Sequence, residues 1–158
     1  MKKNQLVVQF KLNGRMVSSE VSPTMTMLDL LREKFFLTAT KEGCGKGECG
    51  ACTILLNGLP VNSCLQLAAA LSPEDEVTSL EGLVFDPLLK KIQNSFVQEG
   101  AVQCGFCTPG MLVSSYAVLK SKKNPSDQDI KEGLAGNICR CTGYMKIMSA
   151  VKKAATEE

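Results

Sequence analysis

Residues 6–21, "LVVQFKLNGRMVSSEV", alternate apolar and polar positions on either side of Asn13-Gly14. Period-two alternation around an Asn-Gly pair predicts a β-hairpin, because that pair accepts the positive φ values of a tight turn. In "TMLDLLREKFF" (26–36) the period changes, and Met27, Leu28, Leu31 and Phe35 approximate one face of a helix. "TILLNGLPVNSC" (53–64) reads as a second hairpin, across Asn57-Gly58, and "DEVTSL" (75–80) as a last strand. Two hairpins, one helix and a late strand predict a small mixed sheet with a helix packed on it.

After about residue 82 the signals are helical. Asp86-Pro87 is an N-cap followed by proline at the first helical position, opening "PLLKKIQNSFVQEG". Thr108-Pro109 repeats the device and opens "PGMLVSSYAVLKSK". Ser126 with Asp129 resembles a capping box, Asp standing where Glu or Gln is usual, before "DQDIKEGLAG". Gly136 suits a C-cap there. "YMKIMSAVKKAA" (144–155) predicts the last helix. A strand half followed by a helix half is an α+β chain, divided at residues 1–82 and 83–158.

Composition adds exclusions. The chain has 158 residues, 44% of them hydrophobic, and a net charge of +2. That balance gives no footprint for nucleic acid or an anionic membrane. No stretch approaches the ~18 apolar residues of a membrane span. The Lys2-Lys3 pair is not followed by the ~7–15 apolar residues of a secretory leader, so a cytoplasmic location is expected.

Against this background the 8 cysteines carry the chemistry. Cys44, Cys49, Cys52 and Cys64 have the spacing C-x4-C-x2-C-x11-C, and Cys104, Cys107, Cys139 and Cys141 have C-x2-C-x31-C-x-C. Core cysteines would be scattered rather than set among glycines. Disulfides fit the even count but not a reducing compartment. With no histidine in the chain, zinc would need four thiolates per site, and neither set has the paired C-x-x-C knuckles of a zinc ribbon. Four thiolates also hold a [2Fe–2S] cluster, and the first spacing is that of plant-type ferredoxins. The lack of histidine excludes Rieske ligation.

The cluster reading accounts for "GCGKGECGAC" (43–52). A chain that wraps a di-iron cluster turns sharply, and Gly43, Gly45, Gly47 and Gly50 permit this through positive φ. The turning points backbone N–H groups at the sulfurs, which stabilises their negative charge. Lys46 and Glu48 are expected in solvent. The second set lies at helix ends, where free N–H groups suit thiolates. Arg140, between two of these cysteines, is either a surface charge or a modulator of cluster potential.

Together, "KEGCGKGECGACTILLNG", "NSC", "GAVQCGFCTPGM" and "GNICRCTGY" resemble the small iron–sulfur subunit of the molybdenum hydroxylases, the family of xanthine dehydrogenase, aldehyde oxidoreductase and carbon monoxide dehydrogenase. The likeness extends over roughly residues 4–155. It implies an N-terminal β-grasp, plant-type ferredoxin-like domain followed by an all-α four-helix bundle. It also implies two [2Fe–2S] clusters, with molybdopterin in a large partner subunit and FAD in a medium one. By the same resemblance, the Cys104 set would lie nearest the molybdopterin and the Cys44 set nearer the flavin. Gln103 and Cys141 would lie against the pterin. The chain has no Rossmann-type G-x-G-x-x-G between a strand and a helix for a dinucleotide, since Gly45, Gly47 and Gly50 have that spacing only within the cysteine loop and ahead of a predicted strand. It also has no histidine for general-base work, so it would carry electrons rather than transform substrate. A stand-alone two-cluster ferredoxin and a structural zinc scaffold are the alternatives.

Overall fold

Asn13 and Gly14 take φ values of 51° and 79°, and the hairpin they close sets the register of the sheet. In the computed structural model, which describes residues 5–156, β1 (Leu6–Leu12) pairs antiparallel with β2 (Arg15–Val21), Leu12 opposite Arg15. The Lys2-Lys3 pair lies outside the described residues. The second hairpin joins β3 (Thr53–Leu56) to β4 (Leu59–Asn62), and β5 (Glu76–Thr78) lies between the two hairpins. The order is β2-β1-β5-β3-β4, with β1 and β5 parallel and the other pairs antiparallel.

Alternate residues Val8, Phe10 and Leu12 of β1 point inward and meet Val21, Ile54 and Val77. The helix packed on them begins as α1 (Met27–Asp29) and continues as a π-helical stretch (Leu30–Lys34). Its start is fixed by a capping box: Thr26 Oγ1 accepts from Asp29 N–H, and Asp29 Oδ2 accepts from Thr26 N–H. Met27, Leu30 and Leu31 enter the core, and Phe35 meets Phe10 edge-on at 6.0 Å.

The second half forms α2 (Pro87–Gln98), α3 (Thr108–Ser121), α4 (Asp127–Leu134) and α5 (Met145–Thr156). α3 is the central helix, buried from Gly110 to Tyr116 on every side, so it has no polar face. It also packs on β3, where Leu55 joins the helical core. None of the helices among the described residues is long and apolar enough to cross a membrane.

Two local expectations change. Cys107, not Thr108, is the N-cap of α3, because its carbonyl already accepts the first helical bond, from Met111 N–H at 3.0 Å; no side chain caps it. α4 ends at Ala135 in right-handed conformation, with Asn137 N–H closing the turn on the Leu134 carbonyl at 2.9 Å. Gly136 is therefore not a left-handed cap, and the close approach here is made by Gly50, on which a Cβ would fall 2.2 Å from the Gly136 carbonyl oxygen.

Candidate metal centres

The glycine loop between α1 and β3 holds three of the first four thiols, and Cys64 arrives just after β4. Gly45, Gly47 and Gly50 have φ of 65°, 80° and 66°. Gly43 does not share that conformation. Its missing side chain matters for space, since a Cβ there would lie 2.8 Å from Cys49 Sγ. The turning directs the N–H groups of Lys46 and Glu48 at Cys44 Sγ, at 3.4 and 3.3 Å, while their side chains face solvent. Asn62 Nδ2 donates to the Gly47 carbonyl at 2.8 Å and ties the loop to β4. Cys52 and Cys64 are buried against Leu28; Cys44 and Cys49 are half-buried.

Electrostatics follow this gradient. The N–H of Lys46, with those of Cys49 and Glu48, lowers the Cys44 thiol pKa to about 6. Burial, then the neighbouring Cys52, pushes Cys64 up to about 11.

The second set stands where three helices end. Cys104 and Cys107 precede α3, and Cys139 and Cys141 lie between α4 and α5. Cys139 is buried, Cys107 half-buried, and Cys104 and Cys141 are exposed. Burial, then Cys139, drives Cys107 up to about 12. Burial opposes ionisation of Cys139 too, but the Thr142 hydroxyl and nearby N–H groups outweigh it and hold that thiol below the usual range. The Cys104 side chain raises Cys141.

All four second-set thiols line one cavity of about 190 Å³. Phe106, Ile138 and Arg140 complete its outer wall, and Gly43, Cys49 and Ala51 of the glycine loop line it as well. The two sets are thus neighbours, although 87 positions separate Gly50 from Asn137, which bridge them. Gln103 is exposed beside Cys104, and Arg140 is exposed at the rim.

Within each set the thiols act on one another's ionisation: Cys52 and Cys44 both raise Cys64, Cys139 and Cys104 both raise Cys107, and Cys104 and Cys139 both raise Cys141. Among the described residues no three metal-ligating side chains are gathered for a single ion. A di-iron cluster asks a protein for four thiolates around a space larger than one ion; each set supplies four, and the second set lines a cavity of about 190 Å³. The residues therefore fit two [2Fe–2S] clusters.

Sequence patterning does not single out Asn137, Thr142 or Tyr144. Asn137 is 4% exposed, and Thr142 and Tyr144 hydrogen-bond to Cys139. Their only signal is adjacency to the cysteines, which does not reveal direction.

Residues 10–79 match the family described as the 2Fe-2S iron-sulfur cluster binding domain, and residues 79–152 match the [2Fe-2S] binding domain. The nicotinate dehydrogenase small FeS subunit of Eubacterium barkeri is 46% identical over 151 residues, covering 96% of each chain. The xanthine dehydrogenase iron-sulfur-binding subunit of Escherichia coli O157:H7 is 41% identical over 148 residues, covering 92% of each chain. A chain of the crystal structure of quinoline 2-oxidoreductase from Pseudomonas putida 86 superposes with a TM-score of 0.88 at 40% identity, covering 96% of this chain and 94% of that one.

Proposed function

The chain belongs to the small [2Fe–2S] subunits of the molybdenum hydroxylases, and from that membership we propose which of its residues hold the clusters and which of its faces meet each partner. It is the electron-transfer subunit of a molybdopterin-dependent hydroxylase complex and has no stand-alone catalytic role. Family context implies molybdenum-binding and FAD-binding partner subunits.

In the proposed assignment, Cys44, Cys49, Cys52 and Cys64 hold one cluster, and Cys104, Cys107, Cys139 and Cys141 hold the other. A [2Fe–2S] cluster, when bound, takes up and releases one electron at a time. The protein contributes the rest. Lys46 and Glu48 N–H groups stabilise negative charge on Cys44. Leu28 keeps water from Cys52 and Cys64.

The observation that carries the wiring is the shared cavity, with the helix-end thiols around it and Cys49 on its wall. Two sets so placed act in series. The outer pair, Cys104 and Cys141, is exposed amid Val102, Phe106, Ile138 and Met145, all at least 42% exposed. That apolar rim suits a permanent interface better than a freely diffusing ferredoxin. The proposed entry side is therefore this rim, where Gln103 and Cys141 face the pterin of the large subunit. The exit side is the glycine loop, facing a medium FAD subunit. In this reading the location is cytoplasmic, where a reducing environment keeps eight thiols available as cluster ligands.

The test uses the whole complex with its native substrate, after molybdopterin content has been verified. In Cys104→Ser, substrate should still reduce molybdenum but not the glycine-loop cluster. In Cys49→Ser, the helix-end cluster should be reduced while flavin is not. Rapid reduction of the glycine-loop cluster in Cys104→Ser would reverse the assignment of faces.

A further inference from the structure

Thr142 lies outside both thiol sets, yet its hydroxyl reaches one of them: Oγ1 donates to Cys139 Sγ at 3.0 Å. A hydroxyl both donates and accepts, so its neighbours decide where the proton points. Tyr144 N–H donates to Thr142 Oγ1 at 3.3 Å, which occupies the accepting side and leaves the proton for the sulfur. Tyr144 also closes the loop from the other end, because its hydroxyl oxygen accepts Cys139 N–H at 2.9 Å.

Tyr144 is held at φ 68° to make these bonds. A bulky side chain there is strained, and such strain persists only where surrounding contacts over-determine it. Here the contacts converge on a single cysteine. The glycine-loop set is served differently: the hydrogen bonds to Cys44 Sγ come from backbone N–H groups at 3.3 and 3.4 Å. Among the described residues, the hydroxyl bond to a thiol sulfur is made at Cys139.

We propose that Thr142 is a positioning residue that sets the reduction potential of the helix-end cluster, by holding its O–H dipole on the Cys139 sulfur. The inference rests on Cys139 being a ligand of that cluster. Reduction adds one electron, supplied by the molybdenum-binding partner, and no bond forms or breaks. The added negative charge spreads onto the sulfurs. A positive dipole end at one sulfur stabilises the reduced state more than the oxidised one and raises the potential. Tyr144 keeps the dipole aimed.

The experiment is a redox titration of the assembled complex, followed by the EPR signals of the two clusters. Thr142→Val keeps the shape and removes the donor; the midpoint of the helix-end signal should fall while the glycine-loop midpoint stays fixed. Thr142→Ser should retain the wild-type value. An unchanged helix-end midpoint in Thr142→Val, or an equal shift of both signals, would overturn the inference. Should valine prevent cluster uptake, Thr142→Ala removes the same donor with less bulk and should show the same fall. On the wild-type complex, ENDOR of the helix-end signal in ordinary and heavy water should reveal an exchangeable proton, and its absence also overturns the proposal. A wild-type complex with only one iron–sulfur signal would instead overturn the ligand assignment, and this inference with it.

Discussion

Asn137 Nδ2 donates to the Gly50 carbonyl oxygen at 2.9 Å, across the seam between the sheet half and the helical half. The same amide donates to Thr53 Oγ1 at 3.2 Å, and its oxygen accepts from the Ser114 hydroxyl at 2.7 Å. Next to it, Ile138 N–H donates to the Cys49 carbonyl at 2.9 Å. One buried amide therefore anchors β3, α3 and both thiol loops.

Asn137→Ala should destabilise the holo-subunit by about 1–3 kcal/mol, because it strands buried polar partners. Asn137→Asp should cost more, since it loses the donor and buries a charge beside two acceptors. Chemical denaturation at fixed iron content measures both. Equal stability of the aspartate variant and the wild type would show that the amide is not the anchor.

Gly110→Ala tests the same seam by bulk. Its Cβ would fall 2.2 Å from the Gly50 carbonyl oxygen, a backbone atom that cannot swing aside. A loss of about 1–3 kcal/mol is expected from overpacking, together with weaker hydrogen-exchange protection at Ile138. A silent alanine would mean that the two halves separate without cost.

Removal of iron should expose a difference among the thiols. With its pKa lowered to about 6, chiefly by the Lys46 N–H, Cys44 is mostly thiolate at pH 7. Cys107, pushed up to about 12 by burial, is not. Iodoacetamide should label Cys44 first in apo-subunit, and the rate should fall as pH drops through about 6. Peptide mass spectrometry reads the order; equal labelling of Cys107 would contradict it.

Tyr116 O–H donates to Asp86 Oδ2 at 2.7 Å, while Asp86 Oδ1 caps α2 through Leu88 N–H at 2.8 Å. Burial opposes the Asp86 charge, but these two donors outweigh it and hold the carboxyl below its ordinary range. Tyr116→Phe should cost about 1.5–3 kcal/mol, the range for a hydrogen bond to a charged group. A depressed folded pKa stabilises fully above the unfolded value of about 3.9. Its contribution is lost as pH falls through the folded value. The wild-type advantage in thermal unfolding should therefore be largest at neutral pH and shrink in acid; an advantage that grows in acid would refute the pairing.

The proposed division into residues 1–82 and 83–158 has its own test. Glu81 Oε1 accepts from Ala39 N–H at 2.9 Å, while Leu83 packs into the helical core. Residues 1–82 alone should therefore fold and take up one plant-type cluster with iron and sulfide. Failure of that fragment to hold a cluster under reconstitution would show that the first half depends on α3.

Much of the fold was legible from local signals. Asn13-Gly14 and Asn57-Gly58 both adopt the positive φ their hairpins need, and Asp86 and Ser126 cap helices as their positions predict. The cysteine spacing and glycine content announced the cluster chemistry, because a thiolate-rich turning loop has few other uses. Caps were less secure at Cys107 and Gly136, where one residue of shift is decided by packing beyond the helix.

The chain by itself determined its hairpins, its helix starts and the two four-thiol sets, since each depends on residues close in sequence. Only the tertiary structure decided that Cys49 lines the cavity of the second set and that the Thr142 hydroxyl meets Cys139 sulfur. A spacing pattern fixes which atoms are available but carries no direction for a hydroxyl proton and no distance between loops 87 residues apart. Those are set by close packing of α3 on β3 and by the need to pair every buried polar group at the seam.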